Sequence, residues 1–204
     1  MNCKNVLIEC IGELNTNFDS NEIAFLALQG KIEQQLRDKI AWLLYQKDYR
    51  NVKKEYAPQG FGRRKCDLAI LDEMQEPVCL VEFKAHATQN WEGKYKTYFE
   101  DDVQKMRDFA AEFPHKDISL YYVFFQTINS KQFNEDREVR LVAYCDIINR
   151  AIKSPNMSLE EQWREMCSSE ADPSLIDRCT IMAGSYLGSD VKIETMIYGP
   201  IKAK

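Results

Sequence analysis

The spacing of apolar residues divides the first half of the chain into one helix and three strands. Between Ser20 and Lys47, apolar side chains recur at helical intervals, which predicts a single long helix capped by Ser20. Shorter apolar stretches begin at Val52 and cover 66–71 and 78–85, with residue types that are typical of strands. The link between the last two strands, DEMQEP, is short and polar, so these strands are predicted to form an antiparallel hairpin.

The second half of the chain continues the alternation of helices and strands. Its elements are predicted, in chain order, as a helix from about Asp101, a strand over 119–127, helices over about 135–152 and 158–166, and a strand over 191–201. Ser158 and Glu161 form a capping box at the start of the last helix. The helix between the third and fourth strands favours a parallel pair joined by a right-handed crossover. The predicted fold class is therefore α/β, with a mixed central sheet flanked by helices.

Length and composition are those of a globular protein. The chain has 204 residues, of which 45% are hydrophobic and 29% charged, and it shows neither repeats nor Pro/Gly-rich linkers. We expect a single domain over 1–204, with a core over about 20–127 and a C-terminal extension over about 128–204. No apolar run approaches the roughly 20 residues of a membrane helix, so no membrane partner is expected. Seven cysteines without a CxxC pair indicate neither a disulfide framework nor a zinc site, which favours the reducing cytoplasm.

Acidic residues occupy both strands of the predicted hairpin. A turn centred between Met74 and Gln75 would place Asp67 opposite Glu82, with Lys84 on the same face because side chains alternate along a strand. Directly opposed side chains lie about 4.5–5.5 Å apart at Cβ, so two carboxylates there could share one divalent cation. The same register makes an apolar floor by pairing Ala69 with Leu80 and Leu71 with Val78.

Two carboxylates and a lysine in this arrangement suit the hydrolysis of a phosphodiester. Mg²⁺ prefers oxygen ligands at about 2.0–2.1 Å and usually keeps several waters, so Asp67, Glu82 and a substrate phosphate would satisfy it. The ion would polarise the phosphate and activate a water, while Lys84 would orient that water or stabilise the transition state. Alternatively, the three residues are only the solvated face of two strands. The apolar residues over 78–81 favour a functional role, because charge in an interior strand is costly.

These residues also resemble a known family. Asp67, fourteen intervening residues and then Glu82-Phe83-Lys84 are similar to the motif of the PD-(D/E)xK nuclease superfamily, which has the restriction-endonuclease-like fold. The resemblance covers about residues 20–127 and includes the element order α-β-β-β-α-β. One departure is Cys66, which stands where the family has a proline.

The resemblance implies a nuclease that uses Mg²⁺, or alternatively Mn²⁺, held by the two hairpin acids and an acid on the preceding helix. Glu33 is the matching acid, and it lies within the apolar stripe of that predicted helix. Glu22 lies on the same helical face and is the second choice. Alternatively, Glu33 is a boundary residue paired with Arg37 one turn later.

Basic and aromatic residues flank the candidate site. The residues predicted to bind nucleic acid are Arg63, Arg64, Lys65, His86, Lys94 and Lys96, and further basic residues precede them at Lys47, Arg50, Lys53 and Lys54. Cations beside a metal site suit a phosphate backbone, and the aromatics at Trp91, Tyr95 and Tyr98 could stack bases. A solvated basic loop and tyrosines that cover the core are the alternative. Asp102 and Lys105, on the polar side of the next helix, could also contact the site.

The formal net charge of −5 is unusual for a dedicated nucleic-acid binder. The first hypothesis is a metal-dependent nuclease acting on nucleic acid, with DNA as the expected substrate. The second is a catalytically inactive binding or regulatory module on the same scaffold, for which an acidic surface suits a protein partner. A homodimer that brings two centres to two strands remains open.

Overall fold

A six-stranded mixed sheet with helices packed against both faces organises the protein. The computed structural model describes residues 3–86, 94–134, 137–138, 140–153, 159–168 and 176–203, and within these it leaves out the side chains of Lys94, Leu159, Glu160 and Ile176. Three helices come first and three strands follow: α1 (Cys3–Asn17), α2 (Glu22–Gln29), α3 (Glu33–Gln46), β1 (Val52–Tyr56), β2 (Cys66–Leu71) and β3 (Pro77–His86). The remaining elements are α4 (Lys94–Ala111), β4 (Ser119–Asn129), α5 (Cys145–Lys153), α6 (Leu159–Met166), β5 (Ile176–Tyr186) and β6 (Ser189–Ile201).

The strand order is β1-β2-β3-β4-β6-β5. Strands β3 and β4 are parallel and are connected through α4, whereas every other neighbouring pair is antiparallel. The predicted hairpin, the parallel pair and the mixed sheet flanked by helices are therefore confirmed. Strand β4 is apolar along almost its whole length because it lies between β3 and β6 and is covered on both faces.

Each face of the sheet has its own hydrophobic core. Helices α1, α2, α3 and α5 cover one face, where Phe83 and Phe125 stack with ring centroids 5.9 Å apart. Helices α4 and α6 cover the other face, where Phe99 packs edge-on against Tyr122. Burying each such ring contributes about 1.5–3 kcal/mol relative to leaving it exposed. On β3, whose middle residues are buried, the polar side chains of Lys84 and His86 are partly exposed at the C-terminal end of the strand.

The hairpin register is confirmed at its centre, where Ala69 pairs with Leu80. The predicted pairing of Leu71 with Val78 is wrong, because an irregularity after Ile70 pairs Leu71 with Pro77 instead. The extra residue turns Val78 towards the face covered by α3, so it does not join the apolar floor. Hydrophobic alternation alone could not have shown this bulge.

The predicted long helix from Ser20 to Lys47 is wrong, because it is two helices separated at residues 30–32. Gly30 has extended backbone and low helix propensity, and it ends α2. Ser20 is not the cap: Asn21 occupies the N-cap of α2, without a side-chain cap hydrogen bond. As a consequence Glu33 lies in the first turn of α3 and not within a continuous helical stripe.

Other boundaries also differ from the prediction. Helix α4 begins at Lys94, so part of the predicted polar loop is helical. The predicted helix over 135–152 is shorter, since α5 begins at Cys145 and Leu141 is exposed. Ser158 of the predicted capping box lies outside the described residues. Helix α1 and strand β5 were not predicted, although α1 buries an amphipathic face that includes Leu7 and Ile11.

Candidate active site

The candidate site lies at a fork, the place near Asp67 and Glu82 where β2 separates from β3. Their pairing ends at Leu68 with Val81, although β3 continues beside β4 as far as His86. Beyond Val81, the edge of β3 that faces β2 therefore carries backbone N–H groups that β2 no longer covers. Cys66 and Ala69 pack in the core under α4, whereas Leu68 packs in the core on the opposite face of the sheet. Strict alternation would place Cys66 and Leu68 on the same face, so the backbone of β2 changes direction between them, next to the site. Partly buried N–H groups at such a fork require other acceptors.

Carboxylates supply those acceptors. The N–H of Phe83 donates to Oδ2 of Asp67 at 2.9 Å, and the N–H of Ala85 donates to Oε2 of Glu33 at 2.9 Å. Asp67 and Glu82 do not form the predicted cross-strand pair, because the ladder ends one residue earlier. They still meet, since the N–H of Asp67 donates to Oε1 of Glu82 at 3.3 Å. The main chain thus fixes one oxygen of each of the three predicted acids.

Helix α4 adds a second lysine and a fourth carboxylate. The Nζ atom of Lys105 lies 2.8 Å from Oε1 of Glu82 and 3.0 Å from Oδ1 of Asp102. The other oxygen of Asp102 lies 3.5 Å from Nζ of Lys84. Asp102 therefore stands between the two ammonium groups, and Lys105 joins it to Glu82.

The surroundings of the fork make it unfavourable for Glu82 and Glu33 to lose their protons. Burial raises the pKa of Glu82 well above its usual value, and the charge of Asp67 acts in the same direction, while Lys105 opposes both. Burial also raises the pKa of Glu33, although the N–H of Ala85 partly offsets it. Carboxylates whose ionisation is resisted in this way gain from a nearby positive charge, and perturbed acids in clusters are common at functional sites.

Lys84 remains charged at neutral pH. Burial favours its neutral amine, but the surrounding carboxylates, with Asp102 first, outweigh burial and raise its pKa. Lys84 can therefore donate hydrogen bonds and stabilise anions, but it cannot serve as a base. Tyr122, which pairs with Glu82 along the sheet, buries its hydroxyl here without a hydrogen bond to any described residue. Burial first, and then Asp102 and Glu82, raise the pKa of Tyr122 well above its usual value.

The oxygen donors suit a hard divalent cation. Among the described residues, none donates a hydrogen bond to Oε2 of Glu82 or Oε1 of Glu33, so each acid keeps one oxygen for a ligand. Within the same parts of the chain, no group of three or more His, Cys, Asp or Glu side chains forms a ready-made ion site. Mg²⁺ does not need such a cage, because it is usually bound by one or two carboxylates together with waters and substrate phosphates.

The predicted basic cluster is largely neutralised by ion pairs. Arg64 pairs with Asp108 at 2.8 Å and Lys65 pairs with Glu55 at 2.7 Å. Acidic partners likewise neutralise Lys47, Arg50 and Lys54. Arg63 is exposed and makes no ion pair with the residues that the structure describes. A phosphate backbone would therefore have to exchange places with the acids that hold Arg64 and Lys65.

Aromatic side chains line the side of the fork next to Lys84. The ring of His86 lies 4.6 Å from that of Tyr95, and Tyr95 in turn packs edge-on against Tyr98. The Nζ atom of Lys84 lies 5.8 Å from the ring centroid of Tyr98, a residue that is 45% exposed. An exposed ring beside a lysine is a surface on which a base could stack.

The remaining predicted contacts lie on or near α4. Lys96 is exposed and its Nζ donates to Oγ of Ser168 at 3.1 Å, so it is not part of the fork. Lys94 begins α4, but its side chain lies outside the described residues, as does Trp91. The predicted roles of these residues in binding nucleic acid remain predictions.

Sequence reasoning missed Arg37 and Tyr122 as members of the site. The Nη1 atom of Arg37 lies 3.4 Å from Oδ1 of Asp67, so Arg37 pairs with that acid and with Asp38 and not with Glu33. The hydroxyl of Tyr122 is a polar group within an apolar strand, which could have drawn attention to this residue. Its position beside Glu82 depends on the register of the sheet, which the sequence did not give. Glu22 lies on α2 and its carboxylate accepts the N–H of Asp19, away from the fork.

No protein family, curated protein or solved structure matches this chain in comparisons of sequence and of fold. Among the described helices, none combines the length and the apolar character needed to span a bilayer.

Proposed function

We propose that this chain is a metal-dependent nuclease with a restriction-endonuclease-like core. The observation that carries the proposal is that Glu33, Asp67 and Glu82 meet beside Lys84 at one end of the central strands. The element order α3-β1-β2-β3-α4-β4, with a helical crossover between two parallel strands, supports the same core. Both features agree with the resemblance in the sequence.

Each residue has a distinct task in this proposal. Asp67 and Glu82 would hold Mg²⁺ or Mn²⁺, and Glu33 would contribute its remaining oxygen to the same site. When bound, the ion supplies Lewis acidity towards the phosphate and a more acidic water. Lys84, fixed as an ammonium, donates to a phosphate oxygen or to the attacking water and stabilises charge that grows in the transition state. The backbone N–H groups of Phe83 and Ala85 keep the acids oriented.

DNA is the proposed substrate. The exposed positive charge of Arg63, the lysine at the fork and the open face of Tyr98 would contact one phosphate backbone and one base. Acidic partners already hold Arg64 and Lys65, the basic residues next to Arg63, so binding should depend on a small number of phosphate contacts. The salt dependence of binding should accordingly be shallow, because its slope scales with the number of neutralised phosphates.

A catalytically inactive binding or regulatory module is the second candidate. The observation that favours it is the contact of Lys105 with Glu82, which already neutralises the most buried acid of the fork. Such a pair gives Glu82 a positive partner without any bound cation, as a protein that never binds a metal ion would need.

Cleavage assays with matched lysine variants test the nuclease proposal. Purified protein is incubated with supercoiled plasmid and with end-labelled single-stranded DNA, in Mg²⁺, in Mn²⁺ and in chelator. Lys84→Ala should lower the cleavage rate by about 10²–10³-fold, the usual loss when a transition-state donor is removed. Lys116→Ala is the control, because Lys116 bridges Asp72 and Glu76 at the opposite end of the hairpin and carries the same charge.

The outcomes separate the two candidates. Metal-dependent cleavage that is lost in Lys84→Ala and kept in Lys116→Ala supports the nuclease. Cleavage that survives in Lys84→Ala, or that is insensitive to chelator, contradicts it. If the wild-type protein neither cleaves DNA nor binds Mn²⁺, the binding module is the better assignment.

A further inference from the structure

We propose that Lys105 is an internal competitor for the divalent cation, because its ammonium is bound to Oε1 of Glu82, beside the oxygen that is left for the ion. This inference rests on the proposed function, because it concerns the same metal site. It assigns a regulatory role to a lysine on α4 that lies outside the four predicted catalytic residues. The contact is a switch: the ammonium leaves Glu82 when the cation arrives.

Lys105 lies beside the buried carboxylate of Glu82, where the negative charge would also stabilise a metal ion. Its Nζ lies 2.8 Å from Oε1 of Glu82, and the side chains of Glu82 and Lys105 are only 4% and 15% exposed. Water screens such a pair weakly, so an ammonium and a metal ion near Glu82 repel each other strongly. The same oxygen also accepts the N–H of Asp67, so it cannot turn freely away from the ammonium.

The charge balance of the fork points in the same direction. Among the described residues, five carboxylates (Glu33, Asp38, Asp67, Glu82 and Asp102) lie at the fork and around it with four cations (Arg37, Lys54, Lys84 and Lys105), since Asp38 pairs with both Arg37 and Lys54. A divalent cation added to this set would leave excess positive charge in a partly buried place. Without the charge of Lys105, two negative charges would remain, which one divalent cation neutralises. The lysine therefore weakens the affinity of the site for the metal.

Asp102 gives the displaced ammonium a place to go. Lys105 already contacts Oδ1 of Asp102 at 3.0 Å, so leaving Glu82 costs one of two ion pairs and does not strand a charge. Lys84 shares Asp102 through its other oxygen at 3.5 Å. When Lys105 moves fully onto Asp102, the hold of Asp102 on Lys84 weakens. Cation binding would thereby release Lys84 towards the phosphate.

Direct measurement of Mn²⁺ binding tests this inference on the full chain without nucleic acid. Electron paramagnetic resonance of free Mn²⁺ gives the dissociation constant for the wild type and for Lys105→Met, which keeps the long apolar stem without the charge. We expect Lys105→Met to bind Mn²⁺ about tenfold more tightly, equivalent to about 1.4 kcal/mol. Lys116→Met is the matched control: it removes the same charge from a lysine that also bridges two acids, and its affinity should equal that of the wild type.

A stability measurement provides the second readout. Without ions, Lys105→Met leaves Glu82 without its cation and should lower the unfolding temperature, and Mn²⁺ should raise that temperature more than it does in the wild type. If Lys105→Met does not fold without ions, Lys105→Gln, which keeps a donor for Glu82, serves in both measurements.

The results distinguish this inference from the proposed function. Tighter binding by the Lys105 variants and unchanged binding by Lys116→Met supports the inference. Equal affinities in wild type and Lys105 variants overturn it while leaving the metal site intact. Weaker binding in the variants also overturns it, because Lys105 would then position Glu82 for the ion. Absence of Mn²⁺ binding in every variant overturns the metal site itself.

Discussion

Replacing Glu82 by glutamine should stabilise the ion-free protein at neutral and alkaline pH. Glutamine keeps the shape of the side chain, and its carbonyl oxygen can still accept the N–H of Asp67. The substitution removes a negative charge that is almost completely buried beside another carboxylate. Lys105 keeps Asp102 as its ion partner, so the change does not strand the ammonium.

The expected gain follows from two opposing contributions. Burying a carboxylate costs several kcal/mol even after the protein relaxes. Its charged hydrogen bond to Lys105, at 2.8 Å, returns about 1.5–3 kcal/mol. The pKa of Glu82 is raised because burial, together with the repulsion from Asp67, outweighs the attraction of Lys105. We expect a net gain of about 2 kcal/mol, or roughly 4–8 °C in unfolding temperature for a chain of this length.

The gain should depend on pH in a defined direction. Because the pKa of Glu82 is raised on folding, the folded protein holds a proton at pH values where the unfolded chain has lost it. Stability therefore falls as pH rises from the unfolded value of about 4.3 to the folded value. Glu82→Gln removes this fall, so its advantage is complete above the folded pKa and disappears below about pH 4.3.

Urea unfolding in chelator at about pH 4 and pH 8 measures the effect. Glu76→Gln is the control of opposite sign, because Lys116 first and His115 second lower the pKa of Glu76. Its carboxylate stabilises the fold above the unfolded pKa, so the control should lose stability at pH 8 and little at pH 4. The reasoning is refuted if Glu82→Gln is no more stable than the wild type at pH 8, or if its gain is the same at both pH values.

Three further substitutions test the packing outside the site. Asn149→Leu should lose about 2–4 kcal/mol in urea unfolding, because the buried amide donates to the carbonyl of Phe133 at 2.7 Å and accepts its N–H at 2.7 Å; an unchanged midpoint would contradict this. Gly199→Ala should cost more than about 1 kcal/mol in thermal unfolding, because its φ is +139° and a Cβ would lie 2.6 Å from the carbonyl oxygen of Leu120. Gly12→Ala, whose Cβ would meet open space in α1, should instead stabilise by about 0.5–1 kcal/mol, and equal effects of the two alanines would refute the steric argument.

Periodicity located the central strands well because burial on both faces leaves a strong pattern. The predicted ranges for β2, β3 and β4 differ from the observed strands by at most two residues at either end. Strand β5 was missed because it lies at the edge of the sheet and only part of it is buried, as at Ile181 and Ala183. Helix α1 carried a readable amphipathic pattern, so its omission was an error of interpretation and not a limit of the sequence.

At the candidate site, contacts between residues of neighbouring strands could be predicted from the sequence, but contacts between the sheet and the helices could not. Asp67, Glu82 and Lys84 are close in sequence and share a hairpin. The alternation of side chains and the hairpin register were therefore enough to predict that they lie near one another. Glu33 reaches Ala85 only because α3 starts afresh after Gly30, and the spacing of apolar residues did not reveal that break. The contacts of Arg37 and Lys105 depend on how α3 and α4 lie against opposite faces of the sheet. Distances between a helix and the sheet depend on tertiary packing, and the local spacing of apolar and polar residues does not predict them.

The hydrogen bonds from Phe83 and Ala85 to the acids have a consequence for how the site tolerates mutation. Nineteen of the twenty amino acids carry an amide hydrogen, so almost any replacement that still fits the core would leave Asp67 and Glu33 aimed as they are. Proline alone would abolish the donor. The orientation of these two acids therefore depends on backbone donors and not on the identity of the side chains at 83 and 85. Those side chains can be substituted without loss of the two hydrogen bonds.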